Sequence, residues 1–526
     1  MSGDRALAPA GIRLTPDPGT RLVAHGSVLV GGSPVRVLRL TPGGARQVAA
    51  WLGGTPVPAG AAARKLARRL LDAGLANPVP TPAAADRLGG PAFADVTVII
   101  PVRDRHAELA RCLAGLRDLP HVTVVDDASA DPVAIKRIAA EHGAAVIHRP
   151  VNGGPGAARN SGLRAADTEF VAFLDSDCVP APGWLEGLLP HFADPAVGAV
   201  APRIVPYAHG PGWLSRYEGA SSSLDMGARP SVVRLGARVP YVPGAALVVR
   251  KAAAGEGFTD GMYVGEDVYF VWRMAAAGWR IRYEPGAVMG HDHRVTFRAW
   301  FSRRVDYGTS AAALEERHPG AVRPLYASWW TAAAWAAALA GRPVSAAALT
   351  GAATALLARR LSRVTGERWP VPARPADTRP AAAALPTPSA EARPAAAQDN
   401  SKKRRFAVPV ESAAWELAAR LAGGGTLAAA RPLGSALSRT WWPVAIPAAL
   451  AVRKLRLPVA ALILAPPLLD WADRRPPLDP ARYVAARLLD DAAYSIGVWQ
   501  GCLARRTVRP LLPLIGGSRA YGAGRS

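Results

Sequence analysis

The segment VTVIIPVRDR, residues 96–105, decides the fold. Its first five residues carry no charge and are too few for a helix, which is typical of a strand buried on both faces. Similar apolar runs occur at 122–125, 144–147 and 170–174, and helix patterns between them at 108–116, 133–141 and 156–165. This alternation predicts an α/β domain with a mixed, mostly parallel sheet, whose ligands bind at the carboxyl ends of the strands.

Carboxylates follow two of these strands. Asp126 and Asp127 end the second strand, and Asp175-Ser176-Asp177 follows the strand at 170–174. Alternate residues of an extended chain point to the same side, so Asp175 and Asp177 can face one cation. Mg²⁺ and Mn²⁺ prefer oxygen ligands and leave positions for substrate phosphates. The sequence therefore predicts a divalent metal here, whereas Asp126 and Asp127 taken alone fit helix capping equally well.

A glycine-rich turn, NGGPGAARN at 152–160, opens the helix before that strand. Free backbone N–H groups and Arg159 can bind an anion there, although a plain turn is the alternative. The turn lacks the lysine of a P-loop, which argues against a nucleoside triphosphatase.

Two polar motifs lie further along the chain. Glu266 and Asp267 precede an apolar-faced helix pattern at 268–277, where capping of the helix is the alternative to a catalytic role. His291 and His293 follow a strand-like stretch, and one of them can supply a further metal ligand. We predict His291, with His293 as the alternate.

In this order, across roughly residues 95–319, these motifs resemble the family 2 glycosyltransferases, which have the GT-A fold. The resemblance implies transfer of a sugar, with inversion, from a nucleotide-diphosphate donor to an acceptor hydroxyl, with Mg²⁺ or Mn²⁺ as cofactor. It implies that Pro101, Arg103 and Asp127 hold the nucleoside, Arg159 the donor, Asp175 the ribose or metal, Asp177 the metal, and that Asp267, with Glu266 as competitor, is the base. The tryptophan motif of processive synthases is not clearly present, which leaves processivity open.

The N-terminal 80 residues have a different pattern. Strand patterns occur at 21–24, 27–30 and 35–40, and helix patterns at 42–52, capped by Thr41, and 61–73, ended by Gly74. This resembles the winged-helix, PqqD-like domains that hold precursor peptides, and a packing appendage is the alternative. The order of a PqqD-like domain, a family 2 domain and an apolar tail is similar to that of the mycofactocin-system glycosyltransferases. That similarity implies UDP-glucose as donor and a peptide-derived redox cofactor as acceptor.

The whole chain divides into segments that differ in composition. The predicted domains are a peptide-binding domain at 1–80, a linker at 81–94, the GT-A domain at 95–320, a helical extension at 321–362, a disordered Pro/Ala-rich linker at 363–410 and a helical C-terminal region at 411–526. Apolar stretches at 328–357 and 441–469 are Ala-rich or interrupted by Arg453, Lys454 and Arg456, so spanning, interfacial and buried helices stay open. We predict a cytoplasmic protein that contacts the inner face of the membrane.

The composition narrows the classes of partner. The net charge of +23 favours anionic partners, but no zinc-finger spacing or aromatic RNA-reading motif accompanies it, so nucleic acid is not expected. Three distant cysteines, Cys112, Cys178 and Cys502, predict no disulfide. The start of the chain has no apolar run and does not resemble a signal peptide.

Two other functions fit parts of the sequence. One is a glycosyltransferase acting on a polyprenyl-phosphate or cell-envelope glycan acceptor, which the basic apolar tail suits. The other is a non-catalytic membrane or peptide scaffold, against which the intact Asp175, Asp177 and Asp267 argue.

Overall fold

The computed structural model describes residues 3–23, 27–80, 91–207, 210–365 and 415–516. The predicted Pro/Ala-rich linker at 363–410 lies almost entirely outside the described residues, as does most of the linker at 81–94. The division into domains therefore stays a prediction.

The first 80 residues form two small antiparallel sheets packed on two helices. The elements are β1 Leu14–Pro16, β2 Arg21–Val23, β3 Val28–Gly31, β4 Arg36–Arg39, α1 Pro42–Leu52, α2 Ala61–Asp72 and β5 Ala76–Pro78. β2, β3 and β4 pair in order, and β1 pairs with β5. Helix α1 begins where Thr41 accepts a hydrogen bond from the Gly44 N–H (3.1 Å), with Pro42 at its first position. The predicted strands and helices of this segment are confirmed.

A nine-stranded mixed sheet forms the centre of the molecule. Its strands are β6 Val96–Val102, β7 Val122–Asp127, β8 Ala145–Arg149, β9 Phe170–Leu174, β10 Cys178–Pro180, β11 Val197–Pro206, β12 Ser231–Val233, β13 Ala246–Arg250 and β14 Arg280–His291. The order is β10-β14-β11-β13-β9-β6-β7-β8, with β12 added to β14. The half β9-β6-β7-β8 is parallel, so the predicted motifs at the ends of β6, β7 and β9 meet at one edge.

Helices cover both faces of this sheet. They are α3 His106–Ala114, α4 Pro132–Glu141, α5 Gly154–Ala165, α6 Trp184–Leu188, α7 Trp213–Ser221, α8 Lys251–Ala254, α9 Glu266–Ala276 and α10 Phe297–Arg317. Val98 and Ile100 of β6 pack into the core on one face, and Ile99 into the core on the other. Burial on both faces explains why these strands read as continuous apolar runs. The strands and helices predicted for 96–174 are confirmed.

The C-terminal part is helical, as predicted. It contains β15 Tyr326–Ala327, α11 Trp329–Leu339, α12 Pro343–Thr365, α13 Gly425–Ala428, α14 Ala430–Arg439, α15 Trp442–Ala451, α16 Arg456–Arg474, α17 Pro480–Ala504 and β16 Leu514–Ile515. The predicted apolar stretch at 441–469 is two helices, broken between Val452 and Leu455. Within the described ranges, one helical segment, Arg453–Arg474, is long and apolar enough to cross a membrane by length and composition.

The C-terminal helices are attached to the central domain by close helix packing. Helices α10 and α17 meet where Gly308 faces Gly497, and a Cβ on Gly497 would clash with the Val305 carbonyl oxygen. Buried polar contacts add to this packing: the Arg304 Nε lies 3.0 Å from an Asp490 carboxylate oxygen, and the Tyr217 hydroxyl donates to Asp490 (2.9 Å). These contacts position α17 against the sheet domain.

The N-terminal segment is attached by ion pairs. Arg68 of α2 donates to Asp194 (2.7 Å) in a buried contact, and Arg280 of β14 binds both carboxylate oxygens of Asp72 (3.2 and 2.9 Å). A buried charge without a partner is strongly destabilising, and Arg68 would lose its partner Asp194 if the N-terminal segment docked elsewhere. These ion pairs therefore make the contact between the two segments specific.

Replacing Gly497 by alanine should lower the thermal unfolding temperature, because the added Cβ forces α10 and α17 apart. Overpacking of this kind costs about 1–3 kcal/mol. Thermal unfolding followed by circular dichroism measures it.

The matched control is Gly351→Ala in α12, where a Cβ meets no atom within 4 Å. That variant should be neutral or slightly stabilising, because alanine favours helix over glycine. Equal unfolding temperatures for the two variants would contradict the close packing of α10 on α17.

Candidate active site

A cavity of about 1140 Å³ lies at the carboxyl ends of the parallel strands. Every site residue predicted from the sequence lines it: Pro101, Arg103, Asp127, Arg159, Asp175, Asp177, Glu266, Asp267 and His291. Residues separated by up to 190 positions in the chain therefore form one site.

Asp126 and Asp127 have different environments. Asp127 faces the cavity and accepts hydrogen bonds from the backbone N–H groups of Gly153 (3.1 Å) and Gly154 (2.8 Å), which open α5. Asp126 is turned away from the cavity and bonds His148 (2.8 Å) and the Ser129 N–H (2.9 Å). Burial alone would raise the pKa of Asp126, but these hydrogen bonds lower it. Asp127 thus holds the glycine-rich turn at the cavity.

Arg159 connects two carboxylates in the wall of the cavity. Its guanidinium is 3% exposed and donates to Asp175 (2.6 Å) and to Glu266 (3.0 Å). Burial opposes the charge, but the two carboxylates raise the pKa of Arg159 above its usual range. The structure gives Arg159 a positioning role, and the prediction that it contacts the donor stays a prediction.

Asp177 and His291 lie side by side because their strands are neighbours. β10 pairs antiparallel with β14 and places Cys178 opposite His291, so Asp177 Oδ1 lies 3.6 Å from His291 Nε2. Asp177 also pairs with Arg105. Burial would raise the pKa of Asp177, but His291 and Arg105 hold it below its usual range. His293 points elsewhere, with Nε2 3.2 Å from the Ser215 hydroxyl.

Asp177 and His291 can offer one cation an oxygen and a nitrogen ligand, whereas Asp175 lines the same cavity with an oxygen bound to Arg159. In the part of the chain that the structure describes, no three or more His, Cys, Asp or Glu side chains, these three included, are grouped so as to hold a metal ion. Few protein ligands suffice where a diphosphate supplies others.

Glu266 and Asp267 diverge at the start of α9, after Gly265 in a left-handed conformation (φ 78°). Glu266 is buried against Arg159, and burial, with a contribution from Asp267, raises its pKa to about 7. Asp267 is half-buried and accepts from the Gly244 N–H (2.7 Å) and the Val268 N–H (2.8 Å). The two adjacent carboxylates therefore have different partners and different burial.

Sequence reasoning missed several residues of the cavity. Among them are Arg105, Arg294, Arg303, Tyr241 and, from the C-terminal helices, Arg439, Arg474, Arg487, Asp490 and Tyr494. Arg105 is part of the VIIPVRDR motif and was within reach of motif reasoning. The C-terminal residues carry no local signal, because the packing of three separate helices, α14, α16 and α17, brings them to the site.

The chain is similar to known glycosyltransferases. The model of the family "Glycosyl transferase family 2" matches residues 97–255. The pre-mycofactocin glycosyltransferase of Mycobacterium tuberculosis is 38% identical over 517 residues, which cover 96% of this chain and 98% of that protein. Succinoglycan biosynthesis protein ExoW of Rhizobium meliloti is 44% identical over 104 residues, 18% of this chain and 32% of that protein.

Among solved structures, the mannosyltransferase PcManGT from Pyrobaculum calidifontis, in complex with GDP-Man and Mn²⁺, is similar at 23% identity and a TM-score of 0.34, over 52% of this chain and 81% of that chain. The Mycobacterium tuberculosis relative matches nearly the full length of both proteins, and the family model covers strands β6 to β13. The chain therefore belongs to the family 2 glycosyltransferases.

Proposed function

We propose that this glycosyltransferase moves a hexose, glucose from UDP-glucose, onto a hydroxyl of a peptide-derived acceptor in the biosynthesis of mycofactocin. The observation that carries the proposal is the convergence of Asp177, His291 and Asp267 in one cavity. The nearly full-length similarity to a pre-mycofactocin glycosyltransferase supports the acceptor. The choice of glucose rests on the similarity between the domain order of this chain and that of the mycofactocin-system glycosyltransferases.

The reaction is a single displacement with inversion. Asp267 takes the proton of the acceptor hydroxyl while that oxygen forms a bond to the anomeric carbon. The bond from this carbon to the donor phosphate breaks, and its electron pair leaves with the nucleoside diphosphate. Arg159 holds Asp175 and Glu266 in place, so that Asp267 keeps its orientation at the start of α9.

Mg²⁺ or Mn²⁺ would be held by Asp177, Asp175 and His291 and would neutralise the charge of the diphosphate. Pro101, Arg103 and Asp127 line the cavity at the ends of β6 and β7, which supports their assignment to the nucleoside. The Gly153 and Gly154 N–H groups already donate to Asp127, so these two expected backbone donors are not free to bind an anion.

Residues 1–80 position the peptidic acceptor in this proposal. Pro34, in the turn between β3 and β4, lines the catalytic cavity. The Arg238 N–H donates to the Ser33 hydroxyl, and the Arg238 side chain pairs with Asp17. The N-terminal segment thus reaches the rim of the site without contributing a catalytic group.

The helices α15 and α16 contact the cytoplasmic face of the membrane in this proposal. Leu450 is 66% and Leu457 is 84% exposed, and Arg453, Lys454 and Arg456 lie between them. Apolar side chains can enter the interface while the cations meet anionic headgroups. The same surface also suits an acceptor carried on a polyprenyl phosphate, which is the second candidate.

Mass spectrometry of the products tests the function as a whole. The enzyme is offered UDP- and GDP-sugars with a peptide-derived acceptor or a polyprenyl phosphate. We expect a mass gain of one or more hexoses on the peptide-derived acceptor with UDP-glucose. Transfer only to the lipid would favour the second candidate.

Asp177→Ala should abolish metal-dependent transfer, because the departing diphosphate would keep uncompensated charge in a partly buried site.

His291→Ala should weaken Mn²⁺ binding, measured by calorimetry with UDP present. His293→Ala is the matched control and should bind Mn²⁺ normally, because His293 contacts Ser215 instead. Loss of Mn²⁺ affinity in His293→Ala alone would reverse the assignment.

Asp267→Asn should cut transfer by about 10²- to 10⁴-fold, because it keeps the shape of the side chain and removes the base. UDP and Mn²⁺ binding should stay near normal. Glu266→Gln should cost less, since in this proposal Glu266 binds Arg159 and Asp267 takes the proton. An inactive Glu266→Gln beside an active Asp267→Asn would exchange the two roles.

Leu450→Asp with Leu457→Asp should reduce co-sedimentation with vesicles that contain anionic lipid, because charges replace the apolar contact. Leu503→Asp is the control, since Leu503 is 75% exposed but lies on α17. An unchanged bound fraction for the double variant would argue against this surface.

A further inference from the structure

A second, smaller cavity lies between the N-terminal segment and the sheet domain. Arg280 and Arg282, at the start of β14, line it, whereas His291, at the end of the same strand, lines the catalytic cavity. The smaller cavity holds about 70 Å³, several times the space that one water molecule needs. Among the described residues, its charged lining consists of four arginines and two aspartates: Arg13, Arg68, Arg280, Arg282, Asp72 and Asp194. The wall therefore carries an excess of two positive charges.

Arg282 is a buried cation without a carboxylate partner. It is 5% exposed and forms no ion pair with any residue that the structure describes, and its guanidinium makes a long hydrogen bond, 3.4 Å, to the side-chain oxygen of Asn77. Burial lowers the pKa of Arg282 to about 10, although Asp194, Asp72 and Glu284 attract its charge. Since an unpaired buried charge is strongly destabilising, an anion bound beside Arg282 would stabilise this part of the fold.

The other arginines differ in how far their charge is already neutralised. Arg280 binds both carboxylate oxygens of Asp72 (3.2 and 2.9 Å). Arg68 is 4% exposed and donates through Nη2 to Asp194 (2.7 Å), but its Nε has no hydrogen-bond partner among the described residues. Arg13 is exposed and forms no ion pair with them. Unused donors therefore come from both sides of the interface.

We propose that this cavity binds a phosphate group, held by Arg282 from the sheet domain and by Arg68 and Arg13 from the N-terminal segment. Guanidinium groups bind phosphate oxygens through charge-assisted hydrogen bonds, and a phosphate dianion matches the excess of two positive charges. Because both segments supply donors, bound phosphate stabilises the contact between them. Inorganic phosphate and a phosphate monoester share this chemistry.

Thermal unfolding of the full-length enzyme, with UDP present, tests the site in sodium phosphate, sodium acetate and sodium chloride of equal ionic strength. Phosphate should raise the unfolding temperature of the wild type above its value in the other two salts. Arg282→Met should lose this rise. In chloride the same variant should unfold no lower than the wild type, because methionine removes an uncompensated buried charge.

Arg13→Gln tests the same site at an exposed position, where the substitution does not disturb the core. It should weaken phosphate binding, measured by titration calorimetry, by about tenfold, the effect of one hydrogen bond to a charged group. Arg46→Gln is the matched control, since Arg46 is exposed on α1 and does not line the cavity. It should bind phosphate as the wild type does.

A full phosphate response in Arg282→Met, or equal losses in Arg13→Gln and Arg46→Gln, would overturn the site. So would an equal response to acetate, or a response that UDP abolishes, which would place the phosphate in the catalytic cavity. Phosphoserine in place of phosphate distinguishes the two sources. A response of equal size indicates a monoester as the ligand, and a response to inorganic phosphate alone indicates the free ion.

Discussion

The buried guanidinium of Arg159 is the constraint on which the site depends. It joins Asp175, at the end of β9, to Glu266, at the start of α9. Removing one partner from such a group leaves a buried charge uncompensated, which costs several kcal/mol. The sheet edge and the helix start are therefore held in a fixed relation. Asp267 follows Glu266 directly and takes its orientation from that relation.

The opposite side of the cavity depends on small residues. Gly308, Gly497 and Gly501 let α10 and α17 approach at backbone distance, and a Cβ on Gly501 would lie 2.5 Å from the Thr309 carbonyl oxygen. The close approach puts Asp490 within reach of Arg304 and Tyr217. Ion pairs of Arg159 hold one side of the cavity, and the close packing of α10 on α17, with the polar contacts of Asp490, holds the other.

The fold and the convergence of the predicted site residues in one cavity could be predicted from the sequence because both follow from local patterns. The strands β6, β7 and β9 are apolar runs that end in carboxylates, and the order of the motifs identifies the family. The surroundings of each side chain depend on tertiary packing, which the motifs do not show. Strand alternation predicts that Asp126 and Asp127 point to opposite sides, but it does not show which of them faces the cavity, and only the resemblance singled out Asp127. Arg105 was overlooked because its motif was interpreted only through Pro101 and Arg103.

The C-terminal contribution could not be predicted, for a physical reason. Tyr494 lies about 190 residues after Tyr307, and helical periodicity does not show which helix a given face will meet. The position of α17 results from tertiary contacts between glycines, which give no specific signal in one sequence.

The close approach of α10 and α17 brings a late part of the chain into the cavity, which matters for how the cavity can change during evolution. The family model covers residues 97–255, whereas part of the cavity wall comes from residues after 415, among them Arg439, Arg474 and Tyr494. The wall of one cavity is thus encoded in distant stretches of one gene. Substitutions in the later stretch can reshape the cavity while the stretch that the family model matches keeps its sequence.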